Sequence, residues 1–211
     1  MVEIAVLHRD EHLVVVDKPP GLLTVPAPGR SGANLVDLLR RQLGQPVQAV
    51  HRLDEDTSGA LVVACSDVAR TALDGLFRAH IVERVYLAVL TRTPSPPAGR
   101  IEARLREVAG VVQVVARGGE TAITHYEVLA RRQRTCLVQC RLETGRRNQI
   151  RVHMAELGCP LAGDRKYGYR VRPGDDFRRV MLHSWRIAFV HPILGGEVRV
   201  EVAAPEPELR P

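Results

Sequence analysis

The chain has 211 residues, which is enough for one domain with a sizeable hydrophobic core or for two small domains. Its hydrophobic fraction of 45% excludes a largely disordered protein, and no apolar run approaches the roughly 20 residues that cross a bilayer. The net charge of +6 and the lack of a basic start before an apolar segment favour a cytoplasmic protein with a polyanionic partner, nucleic acid first.

The first half of the chain alternates short apolar runs with helical patterns. Strands are predicted at residues 12–17, 60–65 and 85–90. Lys18-Pro19-Pro20-Gly21 ends the first strand, because proline cannot continue a strand ladder. Asn34 can cap a helix that runs to Leu43, and Ser66 can cap a second helix that runs to about Ala79.

The second half of the chain predicts further strands around one helix. Residues 93–99 are a proline-rich loop, and a helix from Asn148 to Leu157 is ended by Gly158. Strands are predicted near 100–105, 111–116, 122–130, 135–142, 182–190 and 197–202. We therefore predict one α+β domain over residues 1–204 with a mixed, largely antiparallel sheet, and a frayed tail over residues 205–211.

The four cysteines follow no metal-binding pattern. Cys65, Cys136, Cys140 and Cys159 include no C-x-x-C pair, which argues against a zinc site. Cys136 and Cys140 share one face of a predicted strand, which favours core thiols in a reducing compartment. We predict no metal and no cofactor.

Residues 51–59, with the sequence HRLDEDTSG, concentrate reactive side chains directly before a buried strand. Asp54 in such a loop can act as a nucleophile or a general base. A polar turn whose Asp and Ser side chains cap backbone groups explains the same residues and is favoured on chemistry alone. A hydrolase triad of His51, Asp54 and Ser58 is disfavoured, because no G-x-S-x-G elbow surrounds Ser58. A catalytic role for the Lys18 amine is less favoured than a structural role for Lys18 in the turn.

Residues 143–153, with the sequence ETGRRNQIRVH, place three arginines at the start of a predicted helix. Arg147 and Arg151 are four residues apart and share a helix face. Guanidinium groups at a helix N-terminus favour phosphate binding, in which Arg146 would take part. A solvated basic face is equally consistent with this stretch in isolation. Arg151 can also pair with a distant carboxylate.

Taken together, these stretches resemble the RluA-type family of pseudouridine synthases. His51-Arg52-Leu53-Asp54 followed by Thr57-Ser58-Gly59 matches the signature around that family's catalytic Asp. The supporting motifs are Asp17-Lys18-Pro19 with Gly21, Arg84-Val85-Tyr86-Leu87-Ala88, Thr144-Gly145-Arg146, Gln149-Ile150-Arg151-Val152-His153, Pro160, Gly163-Asp164, Tyr167-Gly168, Leu182-His183 and His191-Pro192. Two positions depart from the pattern: Asn148 stands where His is more usual, and Arg84 where Lys is frequent. The family's optional N-terminal S4 domain is not expected, because the pattern begins near residue 11.

The resemblance implies the pseudouridine synthase fold with a central RNA-binding cleft, and a role for each matching residue. Asp54 would be the essential carboxylate, Arg151 its ion-pair partner, and Tyr86 the side chain that stacks on the target base. Arg52 would assist base flipping, and His51 more readily braces the loop than reacts. The expected substrate-binding set consists of Arg52, His51, Arg146, Arg147, Gln149 and Ile150.

The function implied is the isomerisation of selected uridines in structured rRNA or tRNA to pseudouridine, without a cofactor. A short stem-loop is the favoured substrate, and we expect a monomer. The alternative is a non-catalytic RNA-binding or RNA-folding module on the same scaffold, against which the intact Asp54, Tyr86 and Arg151 argue.

Overall fold

The protein is described by a computed structural model that covers residues 3–210. The chain separates into two compact units. The first unit contains the described residues up to Arg84 together with Ser184–Ala204. The second contains Val85–His183 and the residues from Pro205 to the end of the described chain. Within residues 3–210, no helix is long and apolar enough to span a membrane.

The first unit packs two helices with antiparallel strands. Its elements are β1 (Ala5–Arg9), β2 (Leu13–Lys18), α1 (Leu35–Leu43), β3 (Gln48–Ala49), β4 (Ser58–Ala64), α2 (Asp67–Arg78), β10 (Leu182–Val190, which begins in the second unit) and β11 (Glu197–Glu201). The strand order is β1-β2-β4-β10, with β3 beside β4 and β11 beside β10. Every residue of β4 is buried, because this continuous apolar run is covered on both faces.

The helix starts predicted for the first unit are confirmed. The Asn34 side chain accepts the backbone N–H of Asp37, and the Ser66 side chain accepts that of Ala69. Gly44 ends α1 in the left-handed conformation with φ 64°. The edge strand β1 was not predicted. It forms by pairing with β2, although its apolar residues Ala5, Val6 and Leu7 are all exposed. The strand therefore has no buried face that an alternating pattern could have indicated.

The second unit is built on long antiparallel strands and one helix. Its elements are β5 (Glu83–Leu90, which begins in the first unit), β6 (Ala98–Val108), β7 (Val111–Val114), β8 (Glu120–Arg131), β9 (Cys136–Leu142) and α3 (Gln149–Glu156). The strand order is β5-β9-β8-β6-β7, with antiparallel pairing throughout. The alternating burial of β6 and β8 leaves one face for a core that includes Leu105, Val112, Ala122, Val152 and Tyr167.

The α+β class is confirmed, and the start of α3 differs by one residue from the sequence prediction. α3 begins at Gln149, because Asn148 is held in the left-handed conformation with φ 53°, and its side chain makes no capping hydrogen bond. The frayed tail stays a prediction. Among the described residues of that segment, Leu209 is fully buried, and Arg132 donates to the backbone carbonyls of Glu208 and Arg210. Cys136 and Cys140 are buried free thiols, as predicted.

Candidate active site

Asp54 lies in the loop between β3 and β4, in the first unit. Its backbone carbonyl accepts the N–H of Thr57 at 3.1 Å, which closes a tight turn directly before the buried strand. The Asp54 side chain is half-buried, and the neighbouring Arg52 is exposed. The rigid strand therefore fixes the position of a carboxylate that solvent and substrate can reach.

A fully buried lysine anchors this loop. Lys18 Nζ donates to the carbonyls of Pro19 at 2.9 Å, Leu22 at 2.7 Å and Glu55 at 2.9 Å. An ammonium group has three N–H donors, and these three carbonyls receive them. The Lys18 charge is thus used to hold the residue after Asp54, which supports the structural interpretation of Lys18 over a catalytic amine.

The residues before Asp54 are held from a second direction. The Thr24 hydroxyl donates to the carbonyl of Leu53 at 2.9 Å and accepts its N–H at 3.2 Å. Both Thr24 and Leu53 are buried. Hydrogen bonds on each side of Asp54 therefore fix its backbone, and an acid held in this way loses little entropy when substrate arrives.

His51 braces the loop, which is the role that we expected from the sequence in preference to a reactive one. Its Nε2 accepts the backbone N–H of Val62 at 3.1 Å, and its ring stacks on Phe77 with centroids 4.6 Å apart. Burial, assisted by the charge of Arg84, lowers the pKa of His51 to about 3, so the ring is neutral at neutral pH. A neutral ring that accepts a main-chain hydrogen bond is suited to support.

Ser58 is 1% exposed as the first residue of β4. A serine nucleophile must reach a substrate in solution, and this hydroxyl does not. The hydrolase triad considered from the sequence is therefore not supported by the structure.

Tyr86 and Arg151 belong to the second unit. Tyr86 lies on β5 opposite Cys140 of β9 and is 7% exposed. Arg151 lies in the first turn of α3, with 12% of its side chain exposed. A nearly buried aromatic ring and a nearly buried guanidinium group on rigid elements are positioned with little freedom.

Asp164 fixes Arg151, and this contact was not predicted. Arg151 Nε donates to Oδ2 of Asp164 at 2.7 Å, and Nη2 donates to Oδ1 at 2.8 Å. The Asp164 side chain is 0% exposed, and the Tyr167 ring lies 5.0 Å from the Arg151 guanidinium carbon. A two-pronged bond to a buried carboxylate fixes the guanidinium plane. The Gly163-Asp164 motif identified Asp164 in the sequence but did not indicate that it pairs with Arg151.

Gln149 and Ile150 are interior residues. The Gln149 amide oxygen accepts from the Thr144 hydroxyl at 2.8 Å and the Arg146 N–H at 2.9 Å, and its nitrogen donates to the Ile123 carbonyl and the Thr124 hydroxyl. Gln149 is 2% and Ile150 is 3% exposed. The direct RNA contact expected for these two residues does not fit such burial, and a positioning role fits instead.

Arg146 and Arg147 remain at the surface. Arg146 donates to Glu120 at 2.6 Å, and Arg147 donates to Glu107 at 2.6 Å. Exposed ion pairs contribute little to stability, so a phosphate group can replace either carboxylate at small cost. Both arginines are therefore placed where RNA can reach them.

The two departures from the family pattern have structural contacts. The Asn148 amide oxygen accepts the Tyr167 hydroxyl at 3.0 Å. Arg84 is 7% exposed, and its guanidinium carbon lies 5.7 Å from the Phe77 ring centre. Both side chains therefore take part in packing next to residues of the candidate site. In the described part of the chain, no group of three His, Cys, Asp or Glu residues is arranged to hold a metal ion.

A sequence profile for RNA pseudouridylate synthases matches residues 12–156, which include Asp54, Tyr86 and Arg151. The chain belongs to this family. It is 34% identical to the ribosomal large subunit pseudouridine synthase D of Zymomonas mobilis, over 97% of this chain and 70% of that protein. It is 39% identical to the uncharacterized RNA pseudouridine synthase YlyB of Bacillus subtilis, over 97% of this chain and 70% of that protein.

The fold of human RNA pseudouridylate synthase domain containing 1 is closely similar, with a TM-score of 0.80 at 25% identity. The match covers 96% of this chain and 84% of that one. Membership in the pseudouridine synthases and the fold class, both predicted from the sequence, are thereby confirmed. The chain is an RNA pseudouridine synthase, an isomerase that converts uridine in RNA to pseudouridine, and the catalytic interpretation is supported over a module that only binds RNA.

Proposed function

We propose that this pseudouridine synthase modifies uridines of large-subunit ribosomal RNA and that Asp54 is its reacting carboxylate. The ribosomal assignment is supported by the curated relatives named for that substrate, which match over nearly the whole chain. The assignment of Asp54 is supported by its loop, which Lys18 and Thr24 hold on either side of it. These anchors are the observation that carries the proposal.

The reaction requires little from the protein beyond correct positioning of the uridine and a charged side chain. The N1–C1′ bond breaks, the base turns, and a C5–C1′ bond forms, while the proton on C5 leaves and N1 becomes protonated. No electron or group is gained, so one carboxylate suffices where a glycosidase needs a pair. Asp54 either attacks C1′ or removes the 2′-proton, and both routes require it to be ionised.

Arg151 is proposed to keep Asp54 ionised and oriented. A guanidinium group has five N–H donors, and Asp164 accepts from two of them. The group can therefore bind a second carboxylate while Asp164 holds its plane. A guanidinium group within ion-pairing distance of a carboxylate stabilises its negative charge, which favours the reactive form.

Base flipping is proposed to involve Arg52 and Tyr86. A uridine in a helix must leave the stack to react, at a cost of a few kcal/mol. Arg52 is exposed beside the loop of Asp54, so its planar guanidinium is available to stack in the vacated space. Tyr86 is held on β5 and is proposed to stack on the extruded base. Arg146 and Arg147 are proposed to contact phosphates.

The remaining features are proposed from the sequence. They are the RluA-type subfamily, catalysis without metal by a monomer over residues 1–204, a central RNA-binding cleft, and a stem-loop substrate in the cytoplasm. Transfer RNA is the second candidate substrate, since the family resemblance implies either class.

The test is a pseudouridine map of cellular RNA from a strain that lacks the gene. Complementation with the wild type is expected to restore specific sites in large-subunit ribosomal RNA, and Asp54→Asn is expected to restore none. Asp56→Asn is the matched control, because it removes an acid two residues away in the same loop and is expected to restore the sites. Restored sites confined to transfer RNA would contradict the ribosomal assignment, and restoration by Asp54→Asn would contradict the role of Asp54.

A further inference from the structure

The second unit contains a groove lined by arginines that the proposed chemistry does not use. Two cavities of about 390 Å³ and about 220 Å³ adjoin there and share Thr91, Arg92 and Arg172. Arg170 lines the larger cavity, and Arg132 and Arg134 line the smaller one. We call the surface formed by these five arginines the arginine groove.

The charge of the arginine groove is only partly balanced by a nearby acid. None of the described residues that line the two cavities is acidic. Asp175, which lies outside the lining, contacts Arg172 at 3.3 Å and Arg134 at 3.4 Å. Within residues 3–210, the exposed side chains of Arg92 and Arg170 form no hydrogen bond or ion pair. Two arginines are thus held in place by an acid, while Arg92 and Arg170 have no carboxylate partner among the described residues.

The arginine groove lies one side chain away from Arg151. Tyr167 lines the larger cavity, and the same ring lies 5.0 Å from the Arg151 guanidinium carbon. Gly158 and Gly168 also line this cavity, and the lack of a side chain at these two positions allows a ligand backbone to approach closely. The groove is therefore near a proposed catalytic residue, and its walls suit an extended polar chain.

We propose that the arginine groove binds phosphates of the RNA strand that flanks the target uridine. Guanidinium groups bind phosphate oxygens through paired hydrogen bonds, and two adjoining cavities fit successive phosphates of one strand. This proposal rests on the proposed function, since it assigns a further part of the same RNA. It predicts that RNA affinity and its salt dependence reside partly in Arg92 and Arg170.

The experiment measures binding of a fluorescein-labelled RNA stem-loop by anisotropy over a series of salt concentrations. For the double variant Arg92→Gln, Arg170→Gln we expect the Kd to rise about tenfold. We expect the slope of log K against log salt to fall by about 1.4 in magnitude, since about 0.7 is lost per single-strand phosphate contact. Arg170→Glu alone is expected to weaken binding similarly and gives a second test if the double variant folds poorly.

The matched control is Arg41→Gln, Arg78→Gln, which removes two exposed arginines from α1 and α2 of the first unit. It is expected to change the Kd by less than about twofold, because these two arginines line neither cavity and exposed charges without a direct ligand contact are screened by salt. Equal losses in both double variants would show a general charge effect and overturn the proposal. So would unchanged RNA affinity in the groove variant, even if inorganic phosphate binds there. Anisotropy measures RNA binding independently of turnover. The catalytic role of Asp54 is tested separately, by tritium release, so the two proposals can fail independently.

Discussion

The loop of Asp54 in the first unit and the start of α3 in the second are held in different ways. One buried cation, Lys18, donates hydrogen bonds to three backbone carbonyls and thereby fixes the loop. The start of α3 depends instead on side-chain pairs, with Gln149 between two chain segments and Asp164 against Arg151. The difference shows where each region is vulnerable. In the loop, one charge binds three carbonyls at once, with Thr24 as a second anchor, whereas the helix start depends on several hydrogen bonds that can fail separately.

Lys18→Met is the strongest test of the first half of this comparison. Three partly buried carbonyls lose a charged donor, so the free energy of unfolding is expected to fall by about 3 to 5 kcal/mol. Urea unfolding measures it. The control is Lys166→Met, which removes the chain's other lysine; its exposed Nζ contacts the Gly110 carbonyl, and a change below about 1 kcal/mol is expected. Equal effects of the two substitutions would remove the special role of the buried cation.

Asp164→Asn tests the second half through catalysis. The two-pronged bond becomes a single weaker one, and Arg151 is expected to leave its productive orientation. A small misplacement of a positioned group costs about a hundredfold in kcat, with a smaller change in KM. Tritium release from 5-³H-uridine RNA measures both. Glu206→Gln is the control, because Glu206 also accepts two hydrogen bonds from one arginine, Arg179, in the same unit. A pure loss of stability with normal kcat would assign Asp164 a structural role alone.

Gln149→Ala sharpens the distinction between positioning and RNA contact. Four hydrogen-bonding partners lose the amide, so we expect a loss of about 2 to 3 kcal/mol in the free energy of unfolding. RNA affinity of the folded variant is expected to change little. Gln113→Ala serves as the reference for both measurements, because Gln113 is exposed and lines neither cavity of the arginine groove. Weakened RNA binding at unchanged stability would restore the original prediction of a direct contact.

The free energy of unfolding is expected to depend on pH through one histidine in each unit, with a smaller effect than the substitutions above. Burial, assisted by Arg84, lowers the pKa of His51 to about 3, and burial lowers that of His153 to about 4, from an ordinary value near 6.5. Between these values the unfolded chain binds protons that the folded chain does not. Stability is therefore complete above about pH 6.5 and falls as the pH decreases, by up to about 1.4 kcal/mol per pH unit for each group.

Urea unfolding from pH 7 to pH 4.5 measures this slope. Replacing His51 or His153 by Gln is expected to flatten it. His80→Asn is the control, since His80 is exposed and its left-handed backbone tolerates asparagine. A slope unchanged in all three variants would mean that other groups control the acid response.

The sequence predicted the elements whose signals are local. Caps at Asn34 and Ser66 placed α1 and α2 within a residue of their observed starts, and the apolar run of β4 predicted its burial. Motif resemblance placed Asp54 in its loop. What was missed has no amphipathic pattern of its own: β1 is mostly exposed and forms by pairing with β2, the next strand along the chain.

The candidate site divides in the same way. The identity of Arg151 was readable from its motif, but its pairing with Asp164 joins residues on different elements and carries no periodic signal. Gln149 has the polarity of a surface residue, and only the fold shows that every polar atom of its amide is used inside the protein. The pairing of Asp54 with Arg151 stays a prediction.

The central claim is that Asp54 performs the chemistry while its surroundings only position it. The most direct measurement is tritium release from 5-³H-uridine RNA by purified wild type, Asp54→Asn and Asp56→Asn, with RNA binding and urea unfolding followed on the same samples. We expect Asp54→Asn to bind RNA and unfold like the wild type but to release no tritium above background, and Asp56→Asn to retain turnover. Tritium release by Asp54→Asn at a rate near that of the wild type would contradict the account.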